Sequence, residues 1–135
     1  MLVITTRTSR VWLDREGFIR EVDDPGSEHT LADARESISA NLRVAGGIRR
    51  GLLVDMSQVK SISREARAFY ASEGSRYAIA VALVVGSPLS RMLGNFFLGF
   101  NRPTVPTRLF SSTDEAASWL RQQLATAGEG GREAA

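Results

Sequence analysis

The chain has 135 residues, of which 43% are hydrophobic, and this length and composition fit one compact domain with a sizeable core. It contains no cysteine and a single histidine, which excludes disulfides, thiolate metal sites and cysteine nucleophiles. The formal net charge is +2, and its basic residues are scattered, so the charge pattern does not indicate a nucleic-acid-binding protein.

No apolar run approaches the roughly 20 residues that span a bilayer. The first twenty residues contain four arginines and no apolar stretch typical of a signal peptide. We therefore expect a cytoplasmic protein without stable membrane insertion.

The N-terminal segment predicts a β-hairpin. Residues 3–14 alternate as a strand, Asp14 to Gly17 are turn formers, and residues 18–22 resume the extended pattern. The following residues 23–29 are rich in turn formers and match no metal-binding spacing, so we expect a surface turn there, with His29 exposed.

Helices and strands then alternate. Thr30 and Asp33 form a capping box before an apolar stripe that ends at the Gly46–Gly47 pair. A short buried strand covers residues 52–56, and a second helix begins after Ser63 and ends near Gly74.

The apolar run of residues 78–86 predicts a central strand that is buried on both faces. Ser87 and Pro88 then begin a third helix that continues to Asn101. We expect its core side to be a stripe of six apolar side chains: Leu89, Met92, Leu93, Phe96, Phe97 and Phe100.

A last strand at residues 107–110 precedes a helix that is capped by Ser112 and Glu115. The sequence thus predicts an α/β domain over residues 1–126, with a mostly parallel mixed sheet of about five strands, an N-terminal hairpin and four helices. Residues 127–135 are expected to form a disordered polar tail.

Two blocks of sequence are similar to a known family. Residues 52–63, from Leu52 through Asp55 to Ser63, resemble the strand-and-loop signature of STAS domains, the anti-sigma factor antagonists of the SpoIIAA type. A second block, residues 84–94 and 109–116, is similar to the end of those domains in order and spacing. The resemblance implies a SpoIIAA-like fold and a regulatory protein-binding module rather than an enzyme.

In the antagonists, a phosphorylatable serine lies at the start of the helix that follows the signature strand, within an Asp-Ser-Ser-Gly sequence. Here Ser63-Arg64-Glu65-Ala66 occupies that place. Glu65 stands where the resemblance expects the phosphoserine, and its fixed charge suits a helix N-terminus. We therefore expect no phosphorylation switch of the family's kind.

A binding site is expected where the parallel strands end, because helix N-termini offer free N–H groups there. Hydroxyl and charged side chains gather at these ends, although the same serines are also ordinary helix caps. The candidate residues for ligand or partner binding are Asp55, Ser57, Ser61, Ser63, Arg64, Glu65, Ser87, Ser90 and Arg91.

A separate interface patch is expected on the third helix, formed by Gly94, Asn95 and Leu98 beside Arg91. A protein partner or a homodimer would use it. Two alternatives remain beside the protein-binding module: a carrier of a small anionic, nucleotide or lipid ligand, and an enzyme that uses Asp55 with a serine. The sequence shows no cluster of nucleophilic or metal-binding residues, so we expect neither enzymatic activity nor a bound cofactor.

Overall fold

The computed structural model describes the backbone of residues 1–134 and the side chains of residues 1–128. Eight strands form the β-structure: β1 (Val3–Thr5), β2 (Ser9–Leu13), β3 (Ile19–Asp23), β4 (Glu28–His29), β5 (Arg50–Asp55), β6 (Ser61–Ile62), β7 (Ala78–Val84) and β8 (Thr107–Phe110). The four helices are α1 (Leu31–Ala45), α2 (Arg64–Glu73), α3 (Pro88–Phe96) and α4 (Thr113–Ala134). A π-helical turn, Phe97–Asn101, extends α3.

Six of the strands form one mixed sheet in the order β1-β2-β3-β5-β7-β8. The first three pair antiparallel, and β3, β5, β7 and β8 run parallel to one another. This confirms the α/β fold with four helices and a mostly parallel mixed sheet, with one strand more than the five expected.

The additional strand arises because residues 3–14 form two strands rather than one. The Thr6 side chain breaks the segment, since its Oγ1 accepts hydrogen bonds from the backbone N–H groups of Thr8 (3.3 Å) and Ser9 (3.0 Å). The predicted hairpin between β2 and β3 is present, and Asp14 Oδ1 closes it by accepting from Phe18 N (3.0 Å).

Helices cover both faces of the sheet. Leu53, Ala80 and Ala82 pack with Leu120 of α4 on one face. Their neighbours along the same strands, Leu52, Val54, Val81 and Leu83, belong to the larger core beneath α1 and α2 on the other face. The prediction that β7 is buried on both faces is confirmed.

The first helix begins at the expected capping box. Thr30 Oγ1 accepts from Asp33 N (3.4 Å), and Asp33 Oδ2 accepts from Thr30 N (2.9 Å). Arg7 also donates from Nε to Asp33 Oδ1 (2.6 Å), and this contact holds the pKa of that carboxyl well below its usual range. The N-terminal hairpin and α1 are thereby joined.

The last helix departs from expectation at its end. We expected a disordered tail from residue 127, whereas the backbone of α4 continues as a helix to Ala134. Within the described residues, no helix is long and apolar enough to cross a membrane.

Candidate functional site

The ends of β5 and β7 bring several predicted site residues together. A Cβ atom added at Gly86 would lie 3.0 Å from Ser57 Cβ, so the loops after the two strands are in close contact. Asp55 is half-buried at the end of β5, where its Oδ1 accepts from Ser57 N (3.0 Å). The expected juxtaposition of loops at this edge is therefore present in the structure.

Most of the hydroxyl groups at this edge serve as helix caps. Ser63 Oγ accepts from Ala66 N (3.1 Å) at the start of α2, and Ser87 Oγ accepts from Ser90 N (3.0 Å) at the start of α3. Ser90 is fully buried, and its hydroxyl accepts from Gly86 N and Ser87 N and donates to Ser87 O, all at 3.0 Å. The Ser90 hydroxyl thus has no lone pair or proton left for a ligand.

The charged candidates lie on the surface around this edge. Arg64 and Glu65 are exposed in the first turn of α2, and Arg91 is exposed on α3, where its Nη2 donates to Ser111 Oγ (3.1 Å). Ser61 is half-buried in β6, which pairs with β4 in a separate two-stranded sheet that the sequence pattern did not predict.

Replacing Asp55 with alanine is expected to lower the free energy of unfolding by about 1 kcal/mol, because one loop N–H loses its acceptor at a half-buried position. Urea denaturation measures this change. Asp55→Asn is the matched control, because its side-chain oxygen still accepts the hydrogen bond. If Asp55→Ala and wild type unfold at the same urea concentration, the aspartate does not hold this loop.

The third helix is rotated relative to the prediction, so that Leu93 and Phe97 of the predicted stripe face the core and the other four side chains do not. Ser90, Leu93, Gly94 and Phe97 face the sheet, and a Cβ atom added at Gly94 would lie only 2.8 Å from Leu109 Cδ2. Gly94 is therefore buried, and it cannot belong to an exposed interface with Asn95 and the half-buried Leu98. The expected patch is wrong at Gly94 for this reason.

The opposite side of α3 instead exposes a row of large apolar side chains, which we call the α3 apolar row. Its members are Leu89, Met92, Phe96 and Phe100, with Met92 exposed by 59% and Phe100 by 68%. We expected these four in the core. The small residues at positions 90 and 94 allow α3 to approach β8 closely, so this side of the helix packs against the sheet.

The two aromatic rings of the α3 apolar row are held in place. Phe96 and Phe100 stack with ring centroids 5.0 Å apart, and the Arg67 guanidinium lies 4.7 Å above the Phe96 ring. The π-helical turn carries Phe100 and ends at Arg102, whose φ of 48° is left-handed. A π-turn and a non-glycine residue at positive φ both occur frequently at functional positions.

A groove lies next to this row, between α2 and the π-helical turn. It has a volume of about 380 Å³, and its walls include Arg64, Arg67, Phe100 and Arg102. Arg64 and Arg102 are exposed, so the groove presents positive charge beside an apolar surface.

A second feature was missed by sequence reasoning: a cluster of buried polar residues beneath α1 and α2. Glu21 and Asp23 point from β3 into the interior, although each is an acid. Glu21 Oε1 accepts from Ser37 Oγ (2.7 Å) and Asn41 Nδ2 (2.9 Å) of α1. The available signal was the two-residue period of β3, which places both acids on the same side as the buried Ile19.

The histidine belongs to this cluster. We expected His29 on the surface, but it is 3% exposed, because β4 pairs with β6 and carries it inward. Its Nε2 lies 2.9 Å from Ser27 Oγ, and its Nδ1 lies 3.5 Å from the Tyr70 hydroxyl. Burial lowers the pKa of His29, with partial opposition from Glu21 and Asp33.

An apolar cavity of about 90 Å³ adjoins the cluster. Most of its walls are aliphatic or aromatic side chains from β5, β7, α2 and the π-helical turn, and Glu21, Asp23 and His29 form its polar end. Among residues 1–128, no group of three or more His, Asp or Glu side chains is arranged to hold a metal ion. The arrangement is suited to binding through shape and hydrogen bonds.

Comparisons with known proteins agree with the fold. A model of a family described as Domain of unknown function (DUF7793) matches residues 11–124. None of the curated proteins matches the sequence.

Several solved structures are similar to this one. An anti-sigma factor antagonist from Mycobacterium paratuberculosis is 20% identical, with 87% of this chain and 99% of that chain covered and a TM-score of 0.56. An uncharacterized DUF3478 protein with a SpoIIAA-like fold from Shewanella loihica PV-4 is 12% identical, with coverage of 88% and 90% and a TM-score of 0.52. The expected SpoIIAA-like fold is thereby confirmed.

Proposed function

The chain belongs to the DUF7793 family, and we propose that it acts as a non-enzymatic regulatory module that binds a protein partner in the cytoplasm. The α3 apolar row carries this proposal. The likeness to an anti-sigma factor antagonist supports a regulatory role, and a second similar structure is that of an uncharacterized protein rather than a known enzyme.

The exposed row is unusual for a surface that stays in water. Four large apolar side chains follow one another along one side of the helix, at positions 89, 92, 96 and 100. Scattered apolar side chains are common on protein surfaces, whereas a contiguous patch marks an interaction site. Two stacked aromatic rings that are already ordered lose little conformational entropy on binding, which favours them as anchors.

The charges around the row indicate the chemistry of the partner. Arg64 and Arg102 are exposed at the groove beside the row. We propose a partner whose contact surface has an apolar centre and an acidic rim. Opposite charges at the rim would raise the association rate. High salt would screen these charges and lower the rate.

The start of α2 has a fixed charge in this proposal. Glu65 is exposed in the first turn, where the helix dipole favours a negative charge. Because Glu65 has no hydroxyl and Ser63 caps the helix, we propose that partner binding is not switched by phosphorylation at the start of α2, at either position. Substantial phosphate on Ser63 in native cells would contradict this part of the proposal.

The partner is tested by photocrosslinking in the native cells. A photoreactive phenylalanine analogue replaces Phe100, and the same analogue at Ile48 is the control, since Ile48 is 60% exposed and lies at the far end of α1. We expect one protein to be crosslinked at position 100 and not at position 48. Equal products at both positions, or none, would contradict the proposal.

The captured protein is then purified, and its affinity is measured by calorimetry. We expect Met92→Asp with Phe100→Asp to weaken binding about 30-fold or more, because loss of even one hot-spot side chain costs about 2 kcal/mol or more. The melting temperature should stay close to that of wild type, since both side chains are exposed. Ile48→Asp makes the same kind of change elsewhere and should bind as wild type does.

A further inference from the structure

The buried acids on β3 have no cation beside them. Glu21 and Asp23 are each more than nine-tenths buried, yet within residues 1–128 the ion pairs involve other acids: Asp14, Glu16, Glu28, Asp33 and Glu73. An acid is rarely buried without a counter-charge, because moving it from water to the protein interior is costly. A cation supplied from outside the chain would offset this cost.

The hydrogen bonds around the two acids are unequal. Glu21 accepts from Ser37 and Asn41, whereas Asp23 Oδ1 is buried with no hydrogen-bond partner within the described part of the chain. Both acids line the apolar cavity. A buried polar atom without a partner is rare in folded proteins, and at the wall of a cavity it indicates a missing donor.

The other walls of the cavity limit the shape of a ligand that could donate a hydrogen bond to Asp23 Oδ1. Leu52, Val54, Leu83 and Phe97 are among the apolar side chains that line the cavity. Its volume of about 90 Å³ is somewhat more than half that of the ~150 Å³ cavity that binds benzene, so it has room for a chain of about four carbon atoms.

The one arginine of the cavity wall, Arg67, makes its contacts away from the two acids, although its buried Nε has no hydrogen-bond partner among the described residues. Arg67 Nη1 donates to the carbonyl oxygen of Ile62 (2.6 Å), and its guanidinium lies over the Phe96 ring. These contacts direct its charge toward α3 and β6 rather than toward the acids. The two acids at the polar end of the cavity thus have no cation directed at them, and His29 and Tyr70 are the other polar groups beside them.

We propose that the cavity binds a small aliphatic amine, with its ammonium group at Asp23 Oδ1 and its carbon chain among the apolar side chains. An ammonium group supplies three donors and the missing positive charge in one small group. An alcohol would supply one donor without the charge, and a carboxylate would be repelled. This site is separate from the α3 apolar row, and neither proposal depends on the other.

The test uses n-butylamine as the probe, with n-butanol and butyrate of the same chain length as controls. Amide chemical shifts of the labelled full chain are followed by nuclear magnetic resonance at pH 7 as each compound is added. We expect butylamine to shift amides on β3, β5 and α2 and to bind at least about tenfold more tightly than butanol, with no binding of butyrate. Absence of saturable shifts with butylamine, or equal affinity for butanol, would overturn the proposal.

Two further experiments test whether the amine binds at Asp23 and whether the site prefers a small amine to a protein side chain. Asp23→Asn should weaken butylamine about tenfold or more while leaving the spectrum that of a folded protein, since the substitution keeps the shape of the side chain. Unchanged affinity in this variant would overturn the assignment to Asp23. Lysine blocked at both ends carries the same butylammonium chain on a peptide backbone, and equal binding of it would show a site for a protein's side chain instead of a small amine.

Discussion

Replacing Gly94 with leucine is expected to lower the free energy of unfolding by about 3 kcal/mol. A Cβ atom at this position would already lie 2.8 Å from Leu109 Cδ2 and 3.1 Å from its Cδ1, and leucine adds three further carbon atoms. Because Val85 Cγ1 closes the third side at 3.4 Å, the new side chain has to push α3 away from the sheet. Overpacking of this kind costs about 1 to 3 kcal/mol and occasionally more.

The matched control is Gly99→Leu in the π-helical turn that follows. The same side chain is added there, but no atom lies within 4 Å of the new Cβ. We expect its free energy of unfolding to remain within about 0.5 kcal/mol of wild type. Urea denaturation of the three proteins decides between two orientations of the helix: if Gly94→Leu is as stable as wild type, Gly94 lies on the surface, as its sequence pattern first indicated.

The orientation of α3 could not be predicted from its sequence pattern alone. The segment from Pro88 to Phe100 has apolar side chains over a wide arc of the helix, so helical periodicity alone allows more than one core face. The pattern with the largest side chains was chosen as the core. In the structure the small residues Ser90 and Gly94 face the sheet together with Leu93 and Phe97. The helix therefore packs closely through a mixed face, because closeness of packing as well as side-chain size decides which side is buried.

Other elements could be predicted because their signal is local and has one interpretation. The run of residues 78–84 is too apolar to have a solvent-facing side, and this predicts a strand covered on both faces. The cap at Thr30 and Asp33 and the hairpin turn at Asp14 are formed by neighbouring residues. These features, together with the alternation of strands and helices, predicted the α/β domain with a mostly parallel mixed sheet, and the resemblance of residues 52–63 to STAS domains implied the SpoIIAA-like fold.

The buried polar cluster could not be predicted from such local signals. His29 lies in a stretch of turn formers, and it becomes buried only because β4 pairs with β6, more than thirty residues later. Glu21 is buried against α1, where Ser37 and Asn41 donate hydrogen bonds to it. Serine and asparagine are common in helices, so these two residues do not by themselves indicate a buried acid. Charge patterns favour a solvated position for an acid, and tertiary contacts override that preference here.

Replacing Asp23 with asparagine is expected to stabilise the protein at neutral pH. Burial raises the pKa of Asp23, and the nearby acids Glu21, Asp55 and Asp24 raise it further. In the unfolded chain an aspartate titrates near pH ~3.9. Above that pH the folded state keeps a proton that the unfolded state has lost, so the free energy of unfolding falls by about 1.4 kcal/mol per pH unit until the folded pKa is reached.

Asparagine at this position cannot ionise, and its amide group can donate a hydrogen bond to the Glu21 carboxylate. The variant should therefore lose this part of the pH slope, so that its advantage over wild type is small at pH 3.5 and grows steadily between pH 4 and pH 6. Urea denaturation at several pH values measures both slopes, and Asp114→Asn, which removes an exposed aspartate at the start of α4, is the control for the change in net charge. A pH slope in Asp23→Asn equal to that of wild type, or lower stability than wild type at pH 7, would show that the carboxylate of Asp23 is compensated within the folded chain and would remove the reason for a cationic ligand in the cavity.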